Sequence, residues 1–247
     1  MNALFIQKAK SKAALAELAA QFIAESATAA IADRGRFAIA LAGGSTPREA
    51  YVHLAKRNDV DWARWHVFFG DERCVPPDHA DSNFRMAHEA LLAHVPIPET
   101  HVHRIEAERE DRQAAALDYE TCLRGVLSNP GDPILDLVLL GIGEDGHTAS
   151  IFPDCVELAQ GPDLVVPVLK TARAPTTAQW RLTLTYPVLN AARCVAFLTA
   201  GSAKAPIVKR VFAVQEPVPL PAARVKPTRG DLVLLADHAA SAQLFDS

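Results

Sequence analysis

Apolar residues recur along the chain in two alternating rhythms. Leu15, Leu18, Ala19, Phe22 and Ile23 fall at helical spacing, Gly35 interrupts, and FAIALAGG then runs as a continuous apolar stretch ending in glycines. This predicts a helix followed by a buried strand. A helix after Pro47, the strand-like WHVFFGDE, and a helix from about Asp81 with Phe84, Leu91, Leu92 and Val95 on its apolar face repeat the alternation. Tyr119, Cys122, Leu123, Val126 and Leu127 make another helical face, Asn129 to Pro133 a turn cluster, and DLVLLGIG a further buried strand. RLTLTYPVL, CVAFLTAG and the closing DLVLLAD add three more strands, and the chain opens on a short strand before its first helix. Continuous apolar strands separated by helices predict a doubly wound α/β fold: a mostly parallel sheet with helices on both faces, three layers in a Rossmann-like arrangement. There is no internal repeat, and the Pro-rich stretch from Glu216 to Pro221 is too short for a linker, so residues 1–247 read as a single domain.

Composition narrows what such a fold can do. Hydrophobic residues make up 49% and charged residues 22%, an ordinary globular balance, and the net charge is −4. A net-acidic chain has no global field to draw nucleic acid or an anionic membrane surface, so any anionic ligand must be held by a local cluster. The opening MNALFIQKAK lacks the apolar core of a signal peptide, and no apolar run is expected to approach the ~18 residues of a membrane span; the expected location is cytoplasmic. Cys74, Cys122, Cys155 and Cys194 lie far apart with no CxxC pair, as inert thiols do. Cys74 adjoins Arg73, and a neighbouring cation can lower a thiol's pKa.

In open parallel sheets ligands bind beyond the carboxyl ends of the strands, so the loops there carry the candidate chemistry. After the first buried strand, AGGSTPREAY places Gly43 and Gly44 before a helix, with Thr46 and Glu49 at capping-box spacing. It reads either as a plain glycine turn with a capped helix, or as an anion site in which free N–H groups and the helix dipole hold a phosphate, aided by Ser45 and Arg48. The next strand ends in GDERCVP, setting Asp71, Glu72 and Arg73 in a loop at the same edge, and DSNFR starts a helix with Asp81 or Ser82 as its cap and Arg85 in its first turn. GIGEDGH follows another strand, and its glycines let the backbone turn sharply and bring Asp145 and His147 to the sheet edge. An imidazole there suits proton transfer near neutrality. Arg181 on a strand and Lys204 after another complete a set of cations, with Arg48, Arg73 and Arg85, that a phosphate would justify.

Metal and serine chemistry find less support. His101 and His103 would share one face of a strand and Glu144 and Asp145 lie beside His147, but there is no HExxH and no Cys/His pairing at zinc spacing. GGSTP is not the GxSxG elbow of a serine nucleophile.

Taken together, AGGSTP, GDERCVP with DSNFR, LGIGEDGHTASIFP, RLTLTYPVLNAA and AGSAKA resemble the 6-phosphogluconolactonase family over roughly Leu41 to Ala205, and the closing VKPTRGDLVLLADHAA resembles its C-terminus. The resemblance implies hydrolysis of 6-phospho-D-glucono-1,5-lactone to 6-phosphogluconate in the oxidative pentose phosphate pathway, with no cofactor, no metal and a phosphorylated sugar lactone as the only partner of a monomer or small homo-oligomer. His147 would act as general base on water, Arg73 would lie near the substrate, Asp71 or Asp145 would orient polar groups, and Gly44, Ser45, Arg181 and Lys204 would hold the phosphate. The glucosamine-6-phosphate deaminase family is similar in the GSTP, DGH and lysine segments but carries a glutamate where this chain has Phe152, and an aromatic residue where this chain has Arg73. Sugar-responsive regulators that use a related module add a DNA-binding domain, for which the strand and helix at the start of this chain are expected to leave no room.

Overall fold

The two strands β2 (Phe37–Leu41) and β5 (Leu137–Leu140) are buried along their whole length, as unbroken apolar runs require when both faces of a sheet are covered. The structure, a computed structural model, describes residues 3–127, 134–170 and 179–244; the turn cluster read at Asn129 to Pro133 lies outside them. With β1 (Leu4–Ala9), β3 (Trp65–Phe69), β8 (Cys194–Thr199) and β9 (Asp231–Asp237), β2 and β5 form a six-stranded sheet in the order β1-β9-β8-β5-β2-β3. Every pairing in it is parallel. The helices between its strands are α1 (Lys12–Arg34), α2 (Ser45–Leu54), α3 (Asn83–Ala90), α4 (Arg112–Val126), α5 (Tyr186–Ala191) and α6 (Ala205–Phe212). The doubly wound α/β expectation holds for this sheet.

RLTLTYPVL departs from it. Its strand, β7 (Gln179–Leu184), lies in a second, three-stranded antiparallel sheet between β4 (Asp71–Arg73) and β6 (Val165–Lys170). The reason is in its own pattern: Gln179, Arg181 and Thr183 alternate with Trp180, Leu182 and Leu184, the period-two signature of an antiparallel strand. Asp71–Arg73, expected as loop, is drawn into this sheet by pairing with β7. β6 carries Pro167 and occupies the sheet's edge, where a missing N–H is tolerated.

Helix α1 is long and apolar enough, by length and composition, to cross a membrane, which the absence of a long apolar run had not foreseen. Here it serves the core. Leu15, Ala16, Ala19, Ala20, Ile23, Ala24, Ala27 and Ala30 are buried, and the small alanines among them let the helix lie close against α2 and the sheet. Its first turn is closed by Ser11, whose hydroxyl accepts the Ala14 N–H at 3.2 Å. Helix α3 ends at Ala90, so Leu92 falls in a following 3-10 turn and Val95 beyond it. The segment after His101 adds one parallel bridge, Val102 to Val67, along the outer edge of β3.

The strand order fixes where a ligand can enter. From β2 the chain moves outward to β3, whereas from β5 it leads to β8 on the other side. Loops that leave neighbouring strands in opposite directions open a crevice between the carboxyl ends of β2 and β5.

Candidate active site

A cleft of about 270 Å³ occupies that crevice. Gly43 and Gly44 after β2 and Gly141 to Gly143 after β5 form its floor, and Asp71, Arg73, Asn83, His147, Arg181 and Lys204 bring side chains to it. Four loops and the small antiparallel sheet therefore meet at one place.

The loop after β5 shapes the histidine. Gly143 N–H donates to the His147 carbonyl at 2.8 Å and Gly146 N–H to the Gly143 carbonyl at 3.0 Å, folding residues 143–147 back on themselves. A Cβ on Gly143 would stand 2.0 Å from His147 Nδ1, so only glycine leaves room for the ring. His147 donates its backbone N–H to Asp145 Oδ1 at 3.1 Å, and its Nδ1 lies 2.5 Å from the same oxygen. Burial alone would raise the Asp145 carboxyl, but the His147 N–H, the imidazole's charge and the ring hydrogen bond together hold it below the usual carboxylate range. An ionised carboxylate only accepts, so Nδ1 carries a proton toward it, and in the neutral ring the Nε2 lone pair is the one left to take a proton. Phe152 packs against the ring at a centroid separation of 4.8 Å, tilted by 47°, and the Arg181 guanidinium lies 5.9 Å from the Phe152 centroid.

The opposite wall is a buried polar network. Asp71, 7% exposed, accepts Ser150 Oγ at 2.6 Å and the Asn83 side-chain amide at 3.2 Å, and Arg181 approaches it at 3.9 Å. Arg73 stands opposite Arg181 in the β4–β7 register. Burial lowers the Arg181 pKa, Asp71 offsets part of that, and Arg73 adds to it. The Nε atoms of both arginines are buried without a hydrogen-bond partner among the described residues, while one Arg73 terminal nitrogen donates to the Asp81 carbonyl. Glu72 points away and accepts the N–H groups of Asn83 at 2.7 Å and Phe84 at 2.8 Å, tying the start of α3 to β4. Burial raises its pKa, against those hydrogen bonds. Asn83 was missed in the sequence, where DSNFR drew attention to its cap and to Arg85. No sequence signal marked it: a Cβ on Gly43 would stand 2.0 Å from Asn83 Oδ1, so the first glycine of AGGSTP makes room for that amide, but the two meet only in the fold.

The N-terminus of α2 opens at the cleft's edge. Gly44, with φ 105°, is its cap residue and supplies no side-chain hydrogen bond. The first intrahelical bond runs from Arg48 N–H to the Gly44 carbonyl at 3.1 Å, which leaves the N–H groups of Ser45 and Thr46 without intrahelical acceptors. The expected Thr46–Glu49 capping box does not form, because the helix starts two residues too early for Thr46 to be its cap; Glu49 pairs with Lys12 at 2.8 Å instead. Lys204 reaches in from the turn after β8 and donates to the Ile142 carbonyl at 2.8 Å.

Two of the cations lie elsewhere. Arg48 is exposed on α2 and is not part of the cleft wall. Arg85 bonds Glu89 at 2.7 Å and the Asp78 carbonyl at 2.9 Å and borders a separate depression. A helix turns ~100° per residue, so with Asn83 facing the cleft Arg85 faces away from it. For Cys74, burial pushes the thiol up and a hydrogen bond with Arg112 only partly offsets this, which suits the inert reading. His101 and His103 both stack on His66 at the β3 edge rather than lining one strand, and among the described residues no cluster of His, Cys, Asp or Glu could hold a metal ion.

Residues 10–234 match the family model described as glucosamine-6-phosphate isomerases/6-phosphogluconolactonase. A human 6-phosphogluconolactonase is 41% identical over 227 residues, covering 90% of this chain and 86% of the relative. A 6-phosphogluconolactonase from Synechocystis is 40% identical over 95% of each chain. The solved 6-phosphogluconolactonase of Trypanosoma brucei superposes with a TM-score of 0.87 at 28% identity, covering 99% of this chain and 100% of that one. The chain belongs to the glucosamine-6-phosphate isomerase/6-phosphogluconolactonase family.

Proposed function

We propose that this chain is a 6-phosphogluconolactonase, hydrolysing 6-phospho-D-glucono-1,5-lactone to 6-phospho-D-gluconate in the oxidative pentose phosphate pathway. The observation that carries the reading is the His147–Asp145 pair facing a cleft walled by Arg73, Arg181 and Lys204. His147 Nε2 takes a proton from water as its oxygen bonds to the lactone carbonyl carbon; collapse of the tetrahedral intermediate breaks the bond to the ring oxygen, which receives that proton. The acid formed ionises, so each turnover releases one proton. Arg73 and Arg181 lie where cations can offset the oxyanion that develops at the carbonyl, and Asp71, braced by Asn83 and Ser150, faces Arg181. The phosphate sits on the N–H groups of Gly44, Ser45 and Thr46 with Lys204 as its cation. Phe152 occupies the place where the related deaminases carry their glutamate, and it offers the bound sugar no acid for ring opening. The chain acts as one domain, in the cytoplasm, on a small molecule and without nucleic acid or membrane.

The test compares purified protein on two substrates in chelator. Proton release from the lactone above its spontaneous hydrolysis is expected, with no ammonia from glucosamine 6-phosphate, and His147→Ala is expected to lower kcat ~10²-fold or more. Unchanged turnover in that variant would sink the assignment.

A further inference from the structure

Gly146 separates the two partners of the proton-transfer pair, Asp145 and His147, and it is gripped from outside its loop. Its φ is 83°, and where a Cβ would stand, Leu220 Cδ2 lies 2.9 Å and Leu220 Cβ 3.0 Å away. Its carbonyl accepts the Ala222 N–H at 2.9 Å. The gripping segment is braced in turn. Buried Tyr186 donates its hydroxyl to the Pro221 carbonyl at 3.0 Å, and Arg224 Nε donates to the Pro219 carbonyl at 3.1 Å. Pro217, Pro219 and Pro221 fix their own φ values, so little freedom remains between these ties. This Pro-rich stretch, which the sequence offers as a surface loop, lines no part of the cleft.

We infer that Leu220, on the 219–222 segment, is a positioning residue for the His147–Asp145 pair, holding the Gly146 peptide in the one conformation that lets His147 N–H and Nδ1–H reach the same Asp145 oxygen. Both hydrogen bonds span Gly146, so its φ and ψ set their geometry. Glycine by itself visits left- and right-handed conformations about equally. Burial does not supply the missing restraint, because the His147 and Asp145 side chains are 29% and 51% exposed. The Leu220 side chain and the Ala222 N–H do: one blocks the side of Gly146 that a swing would sweep, and the other anchors its carbonyl.

The inference rests on the lactonase reading, and the experiment separates the two. In Leu220→Ala, kcat for the lactone is expected to fall between about 10-fold and 100-fold, the scale of a catalytic group displaced by ~1 Å, with KM little changed. Leu220→Val should fall part of the way, Leu220→Met should restore near wild-type turnover, and Val218→Ala, at a side chain 72% exposed on the same segment, should change nothing. Nitrogen NMR of the substrate-free protein should show His147 as a single Nδ1–H tautomer in the wild type and a mixture in Leu220→Ala. Wild-type turnover with an unchanged tautomer in Leu220→Ala would overturn the inference. So would a fall in kcat with no change at the ring, or an equal loss in Val218→Ala. Should Leu220→Ala not fold, Leu220→Val decides by the same readouts. If the wild type does not hydrolyse the lactone, the functional reading fails and the tautomer comparison still decides the positioning role.

Discussion

Gly143→Ala tests the proton-transfer pair without removing either partner. The added carbon would stand 2.0 Å from His147 Nδ1, 2.1 Å from Cε1 and 2.8 Å from Asp145 Oδ1, where ordinary contact begins at 3.4 Å. The ring must therefore retreat by roughly 1.4 Å or rotate out of its place. Either movement takes Nδ1 from a separation of 2.5 Å to beyond hydrogen-bond range of Asp145. A shift of the backbone instead would break the Gly143 N–H bond to the His147 carbonyl at 2.8 Å, and the pair is lost again. The base remains present but is misplaced and no longer held in one tautomer. A displacement on the order of 1 Å costs about 10²-fold in rate, equivalent to ~2.7 kcal/mol of activation free energy.

The assay is initial-rate proton release at fixed pH, corrected for spontaneous hydrolysis, over a range of lactone concentrations. kcat is expected to drop about 100-fold while KM moves little, because the phosphate contacts assigned to α2 and Lys204 are untouched. The melting temperature should stay close to that of the wild type, since the ring is part-exposed and can swing toward solvent. Gly125→Ala, where an added Cβ meets nothing within 4 Å, is the matching control and should leave kcat alone. Wild-type kcat in Gly143→Ala would refute the claim that a ring held at this position performs the chemistry.

Other outcomes follow from the same geometry. Lys204→Ala removes a cation held 2.8 Å from the Ile142 carbonyl at the cleft wall and should chiefly raise KM; a normal KM would take Lys204 out of the phosphate site. Asp71→Ala strands the buried Ser150 hydroxyl and leaves the Arg181 guanidinium without its carboxylate and should cost about 2–4 kcal/mol in denaturant unfolding; a loss below ~1 kcal/mol would mean the network is not needed for folding. His66 is held down at about 4 by burial first, then by the charges of His101, His103 and Arg36, and His103 is lowered for similar reasons. The unfolded chain takes up these protons near pH ~6.5, whereas the folded chain resists until lower pH, so their contribution is intact above about pH 6.5 and is lost as pH falls toward 4. Denaturation midpoints at successive pH values should decline over that window, less steeply in His66→Gln, and an identical slope in the variant would remove the cluster from the explanation.

How far these residues could be read from sequence depends on what kind of information each needs. β2 and β5 are unbroken apolar runs ending in glycine, and strand-end position is a one-dimensional property, so the AGGSTP and GEDGH loops were legible as neighbours of a ligand crevice before any contact was known. Direction is not one-dimensional. Arg48, Arg73, Arg85, Arg181 and Lys204 look alike as charges in strand-end loops, yet Arg73, Arg181 and Lys204 line the cleft and the other two do not. What separates them is helical phase, as for Arg85, or a strand pairing across the chain, as for Arg73 against Arg181. The alternation in QWRLTL was available and would have placed β7 outside the parallel sheet; reading apolar content without its period hid that. Close approach is harder still. Gly143, Gly43 and Gly146 each leave room for one particular side chain, from His147, Asn83 and Leu220 in turn, and only the first of these is near enough in sequence for a glycine-rich motif to announce it. A glycine marks that something must come close, and the fold alone says what does.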